Sequence, residues 1–245
     1  MEKKIALITG ASNGIGKEIA RLFAQNNYFV IINYNNSEKS AKSLEQNLLD
    51  NGFEAMCIQA DVSDSKEVKN MISNIIKNFG HIDVLINNAG IASNKILIDE
   101  TIENINQIIS TNLVGTINCC KYVSEHMMHK GFGKIINISS IWGLYGASGE
   151  TVYSASKGGI IAFTKALSKE LIYSGITVNA IAPGCVDTNM MKNYTEHELD
   201  EIKNNIPLKR FAYPEEIASL ALYLASNNAN YITGQTIQID GGFCL

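Results

Sequence analysis

Lys4-Ile5-Ala6-Leu7-Ile8-Thr9-Gly10-Ala11-Ser12-Asn13-Gly14-Ile15-Gly16 is the stretch that decides the fold. Its apolar run, Ile5 to Ile8, reads as a buried strand spanning residues 4–9. From residue 16 to 26 the apolar side chains Ile19, Ala20, Phe23 and Ala24 recur at helical spacing. Between strand and helix stand Gly10, Gly14 and Gly16, in the order G-x-x-x-G-x-G rather than G-x-G-x-x-G. Glycine lets the chain turn tightly and lets another group approach its backbone. A helix N-terminus offers free N–H groups and the positive end of the dipole, so a pyrophosphate fits there. A glycine-rich turn alone is often only a turn. Its place between strand and helix carries the nucleotide-binding reading.

The same rhythm continues outward. Strands are expected at residues 28–33, 54–59, 82–86, 134–139, 177–181 and 236–239, with helices at 37–51, 64–79, 104–130, 153–173 and 214–224. Ser37 is a plausible N-cap, and Pro214 begins the last helix. Continuous apolar strands alternating with helices predict an α/β chain: a three-layer, doubly wound parallel sheet of seven strands. Residues 187–210 break the rhythm, being polar and ending in Pro207-Leu208-Lys209-Arg210. No second domain, repeat or linker is legible, so residues 1–245 read as one domain.

Bulk properties exclude several classes. A net charge of −4 and 18% charged residues give no footprint for nucleic acid and no basic membrane surface. No apolar run reaches the roughly 20 residues of a membrane helix. Met1-Glu2-Lys3-Lys4 resembles a signal peptide's charged start, but the polar turn that follows makes it the approach to a first strand. The five cysteines, Cys57, Cys119, Cys120, Cys185 and Cys244, include no C-x-x-C pair, which fits reduced thiols in the cytoplasm and no metal.

Three further motifs fall where ligands of such sheets bind, outside the carboxyl ends of the strands, and a fourth lies on the helix after strand five. Asp61-Val62 ends strand three; Asp61 can accept from an adenine amino group or serve a helix N-terminus. Asn87-Asn88-Ala89-Gly90 ends strand four, a brace beside a ribose or a turn. Ser140 ends strand five, where a hydroxyl can stabilise a developing alkoxide. Tyr153-Ser154-Ala155-Ser156-Lys157 sets a phenol and an ammonium on one helical face. The ammonium is expected to lower the phenol pKa and make it a usable general acid. Asn112 is a polar amide within an apolar helix, a satisfied core residue or the holder of a water joining Lys157 to solvent.

Together these motifs resemble the short-chain dehydrogenase/reductase family over the whole chain: T-G-x-x-x-G-x-G at Thr9 to Gly16, N-N-A-G at Asn87 to Gly90, Ser140, Y-x-x-x-K at Tyr153 to Lys157, and Pro183-Gly184 with Thr188. The resemblance implies a Rossmann fold and a catalytic tetrad of Asn112, Ser140, Tyr153 and Lys157. It implies cofactor contacts from Gly10, Ser12, Asn13, Gly14, Ile15 and Gly16, from Asn33, Tyr34 and Asn35, from Asp61, Val62, Asn88, Ala89 and Gly90, and from Tyr153 and Lys157. Pro183, Gly184, Val186 and Thr188 would line the nicotinamide end. It also implies a substrate lid over 187–210 and a homotetramer built on the long central helices and the last strand.

An acid at the end of strand two would favour NAD(H); here Ile31-Ile32-Asn33-Tyr34-Asn35-Asn36 carries none. The family's NADP-binding arginine is replaced by Asn13, and Lys39 or Lys42 is expected to compensate. The expectation is NADP(H), with NAD(H) as the alternative. The chain is most similar to 3-oxoacyl-acyl-carrier-protein reductases, which dock the acidic acyl carrier protein on basic residues. Here Ser174 holds one such position, leaving Lys130 and Lys134. Trp142 and the run Gly146-Ala147-Ser148-Gly149-Glu150 resemble a subgroup reducing the 5-aminopentanone on elongation factor P, whose ammonium Glu150 would pair. Trp142 in the core and Glu150 in solvent is the equal alternative. Met190 is a further substrate candidate. Sugar or steroid alcohol oxidation and a non-catalytic nucleotide sensor stand behind these; a sensor would need neither Tyr153 nor Lys157.

Overall fold

In the computed structural model, which describes residues 3–189, 191 and 195–244, seven parallel strands form one sheet in the order β3-β2-β1-β4-β5-β6-β7. The strands are β1 (Lys4–Ile8), β2 (Tyr28–Tyr34), β3 (Ala55–Gln59), β4 (Val84–Asn87), β5 (Gly133–Ile138), β6 (Ile176–Pro183) and β7 (Thr236–Ile239). The order reverses between β1 and β4, so their carboxyl ends flank the crevice where such sheets bind ligands.

The helices are α1 (Gly14–Gln25), α2 (Glu38–Asp50), α3 (Ser65–Phe79), α4 (Ile102–Ile109), α5 (Gly115–Lys130), α6 (Trp142–Tyr145), α7 (Thr151–Leu171), α8 (Glu196–Asn205) and α9 (Pro214–Ala225). Two apolar layers cover the sheet. On one face α1, α2 and α9 bury Ile19, Phe23, Leu44 and Ile217 against Ile8 and Ile32. On the other, α3 and α5 bury Ile72, Ile75, Cys119 and Val123 against Leu7 and Leu85. Strands buried on both faces explain the unbroken apolar runs.

Local chemistry sets the element ends. Asp64 caps α3, accepting from the N–H groups of Lys66 (2.7 Å) and Glu67 (3.2 Å). Gly80 ends it at φ 78°. Ser37 stands at the N-cap of α2, although its side chain makes no capping bond. The expected helix 104–130 is two helices joined by a π-turn, Ser110–Val114. The stretch expected as an irregular lid contains α8, started by a capping box between Thr195 and Glu198. Met190 lies outside the described residues.

Candidate active site

The glycine turn is built to clear space. Gly10 has φ 60°, and a Cβ there would stand 2.8 Å from Ala89 Cα. A Cβ on Gly16 would strike the Asn88 amide and stand 2.8 Å from Gly10 O. Asn88 Nδ2 donates to Thr9 O and Gly10 O, both at 3.0 Å, and Thr9 Oγ1 accepts from the N–H groups of Asn88 and Ala89 at 3.0 Å. The asparagine expected as a brace thus locks the strand-four end to the turn. Asn13 starts α1 without a side-chain cap, and no acid stands in that first turn. The helix end and the open glycine surface fit a nucleotide's phosphates. Thr188 closes the far side, with its Cγ2 3.4 Å from where a Gly14 Cβ would be.

Several expected cofactor residues serve from behind. Asn33 is 1% exposed; its Oδ1 accepts from Gly10 N at 3.4 Å and its Nδ2 donates to Ala60 O at 3.0 Å. Its amide therefore holds the turn to the end of β3 instead of facing the crevice. Tyr34, Val62 and Val186 are buried as well, and Val62 packs where a Gly115 Cβ would be. Asp61 Oδ1 accepts from Ser63 N and Oγ, and its Oδ2 accepts from Asn35 Nδ2 at 2.9 Å. Asp61 and Asn35 thus form one rim.

A cavity of about 380 Å³ next to the turn is lined by Ser12, Asn13, Lys17, Arg21 and Lys39 among others. Lys42, the other expected cation, is engaged by Glu45 at 2.9 Å and does not line it. Lys17 and Arg21 escaped the sequence reading. The signal available was their i, i+4 spacing on the first turns of a helix that opens on a nucleotide turn.

The tetrad residues converge at the ends of β4 and β5. The π-turn carries Asn112, fully buried, with Oδ1 accepting from Ile91 N (2.8 Å) and Nδ2 donating to Ile91 O (2.9 Å) and Ser156 Oγ (3.0 Å). A Cβ on Gly90 would stand 3.3 Å from Asn112 Oδ1 and 3.4 Å from Lys157 Nζ, so the two share one wall. Lys157 is 3% exposed and donates to Ile138 O at 2.8 Å. Ser139 Oγ donates to Lys157 O at 2.9 Å, tying β5 to α7. Ser140 Oγ accepts from Trp142 N at 3.1 Å and bonds the Tyr153 phenol.

The electrostatics correct one expectation. The Tyr153 phenol is pushed up to about 12, first by burial and then by the charge of Glu150, with Ser140 acting against them. The lowering by Lys157 does not appear. Its ammonium turns to the Ile138 carbonyl and sits over the phenol ring, 5.5 Å from the centroid. Burial lowers Lys157 itself to about 8. The phenol is therefore a protonated donor at neutral pH, suited to giving a proton to a carbonyl oxygen.

Of the substrate candidates, Trp142 packs edge-on against Phe243, centroids 5.7 Å apart, so its ring belongs to a local aromatic pair. Glu150 is half-buried and burial raises its pKa. Its Oε2 is buried with no protein partner. Among the described residues no cluster of His, Cys, Asp or Glu is placed to hold a metal, and no helix is long and apolar enough to cross a membrane.

A nucleotide turn, a buried lysine and a serine–tyrosine pair at one crevice of a doubly wound sheet define a dehydrogenase/reductase. Residues 10–244 match the family model described as enoyl-(acyl carrier protein) reductase, and the chain belongs to this short-chain dehydrogenase/reductase family; it is an oxidoreductase. It is similar to the 3-oxoacyl-(acyl-carrier-protein) reductase of Staphylococcus epidermidis, 42% identical over 99% of both chains. The Synechocystis protein of that name is 42% identical, over 99% of this chain and 97% of its own. That of Buchnera aphidicola is 40% identical, over 99% and 98%.

Proposed function

We propose that this protein is an NADP(H)-dependent 3-oxoacyl-(acyl-carrier-protein) reductase acting in the cytoplasm. The observation that carries the reading is the Tyr153 phenol bonded to Ser140, with the buried Lys157 ammonium 5.5 Å from its ring centroid. Gly10, Ser12, Asn13, Ile15 and Gly16 would hold the cofactor phosphates, with Asn88, Ala89, Gly90, Pro183 and Gly184 beside the ribose and nicotinamide. Bound there, the nicotinamide supplies the hydride. Ser140 orients the ketone oxygen, Tyr153 gives it a proton, and Lys157 holds positive charge beneath the phenol. Asn112 fixes the backbone of Ile91, next to the Gly90 that lies against the lysine.

The cations Lys17, Arg21 and Lys39 support NADP(H) over NAD(H), since a 2′-phosphate needs local positive charge and the end of β2 has no acid to repel it. A homotetramer is supported by half-exposed apolar side chains on α5 and α7. Ile117, Met128, Phe163 and Leu167 line a shallow cavity of about 490 Å³ there.

Two observations favour a second reading, the 5-aminopentanone carried by elongation factor P. The cations left for an acyl carrier are engaged: Lys130 pairs with Asp83 at 2.8 Å, and Lys134, 1% exposed, bonds Asn230 at 2.7 Å. The unpartnered Glu150 Oε2 beside Tyr153 suits an ammonium. One experiment tests both: NADPH oxidation with an acetoacetyl thioester and with modified elongation factor P, for the unaltered protein, Tyr153→Phe and Glu150→Gln. Tyr153→Phe is expected to bind NADPH and lose turnover; undiminished turnover refutes the mechanism. A thioester rate that dominates and ignores Glu150→Gln supports the first reading. An amino-ketone rate that collapses with Glu150→Gln supports the second.

A further inference from the structure

The last seven described residues touch three separate walls of the crevice. Beyond β7 the chain folds into a turn organised by Asp240. Its Oδ1 accepts from Gly242 N at 3.1 Å, and its Oδ2 accepts from Cys244 N at 2.9 Å and Gln238 Nε2 at 2.6 Å. A carboxylate meeting three donors is a strong local organiser, because charge-assisted bonds are about twice as strong as neutral ones.

The turn reaches three places. It meets the nicotinamide-end loop at Gly184, whose N–H donates to Ile239 O at 2.9 Å and whose Cβ, if present, would stand 2.8 Å from Asp240 Cα. It meets the segment following α8 where Leu208 N donates to Gly241 O at 3.3 Å. It meets the catalytic loop twice: Tyr145 Oη donates to Gln238 Oε1 at 2.9 Å, and the Phe243 ring packs on Trp142. The backbone N–H of Trp142 donates to Ser140 Oγ at 3.1 Å, and that hydroxyl in turn bonds the Tyr153 phenol.

We propose that residues 238–244 are a positioning strap for Ser140, in which the Asp240 turn presents Phe243 to Trp142 and so fixes the serine hydroxyl against the phenol. Phe243 and Asp240 touch no reacting atom; they act through Trp142. Ser140 stabilises charge that develops on the ketone oxygen, so its displacement lowers kcat more than it weakens binding. Small misplacements of such groups cost on the order of ten- to a hundredfold in rate. The proposal rests on the reductase reading, whose failure would appear separately as no turnover by the unaltered protein.

Trp142 is the sole tryptophan of the chain, so emission excited at the red edge of its absorption, where the ten tyrosines do not absorb, reports its surroundings. The experiment compares Phe243→Ala, Phe243→Tyr and, as a control, Tyr231→Ala, whose side chain is fully exposed. Emission, NADPH affinity, and kcat and KM on an acetoacetyl thioester are measured for each. Phe243→Ala is expected to shift Trp142 emission to the red and lower kcat about tenfold, with NADPH affinity within twofold. Phe243→Tyr, which keeps the ring, is expected to restore both, and Tyr231→Ala to change neither. Should Phe243→Ala fail to fold, Asp240→Asn is read against the same criteria. An unchanged kcat despite a shifted emission overturns the proposal, as does a kcat loss matched by an equal loss of NADPH affinity.

Discussion

Replacing Lys157 with methionine is expected to stabilise the fold while removing activity. Burial takes the lysine from its ordinary 10.5 to about 8, a difference of 2.5 units. At 1.36 kcal/mol per unit the charged side chain costs the folded state roughly 3 kcal/mol at pH 7. Methionine has a similar length and needs no solvation, but it leaves the Ile138 carbonyl without its 2.8 Å donor. A buried acceptor left without its charged donor costs about 1–3 kcal/mol. The net gain is at most about 2 kcal/mol, or a Tm higher by up to about 4–8 °C for a chain of this size. The pH dependence carries the stronger test. Below pH 8 the folded lysine is charged and the penalty is complete. Between pH 8 and 10.5 the folded form is neutral while the unfolded chain keeps its proton, so the unaltered protein gains stability as pH rises. Thermal unfolding followed by circular dichroism at pH 7 and pH 10 should show Lys157→Met melting higher at pH 7, with the gap closing at pH 10. Tyr153 titrates in both proteins and cancels. A methionine variant that melts lower at pH 7, or a gap that ignores pH, refutes the reasoning.

The same lysine sets the rate profile. Ketone reduction should fall as pH rises through about 8, where Lys157 loses its proton, while Tyr153 holds its own proton to about 12. A profile flat to pH 10 would contradict this assignment. Arg21→Ala and Lys39→Ala should each raise KM for NADPH about ten- to a hundredfold and leave KM for NADH unchanged, since a charge-assisted phosphate bond is worth about 1.5–3 kcal/mol. Equal effects on both cofactors would move the 2′-phosphate elsewhere.

What the sequence makes legible here is what depends on neighbours along the chain. Glycines between a strand and a helix, and a tyrosine four residues before a lysine, carry their geometry with them. The sheet follows for the same reason, because seven apolar runs separated by helices leave few parallel arrangements. What escaped depends on contacts across the fold. Nothing in residues 104–130 marks the π-turn, and the groups its Asn112 bonds, Ile91 and Ser156, lie outside that stretch. The direction of the Tyr153 shift required knowing that burial outweighs the lysine, whose ammonium faces the Ile138 carbonyl. Asn33 appeared to belong to the crevice because its strand ends there, yet an inward side chain at a strand end reads the same in sequence as an outward one. Arg21 and Lys17 gain a shared cavity only where α2 packs beside them, a contact between helices separated along the chain by β2.

The π-turn has a consequence of phase. An α-helix advances about 100° per residue, and one wider turn between α4 and α5 shifts their helical wheels by roughly that angle. Each helix can therefore aim its apolar stripe at its own neighbour: Ile108 is buried on α4, and Cys119, Val123 and Met127 on α5. Asn112 stands where one phase gives way to the other. Deleting a single residue from 110–114 would restore an ordinary helix and act as a rotation. Either the amide would leave the wall it shares with Lys157, or the α5 stripe would turn away from the sheet. The position of this amide is encoded as a residue count, and a change that removes no contact group could still take it out of the site.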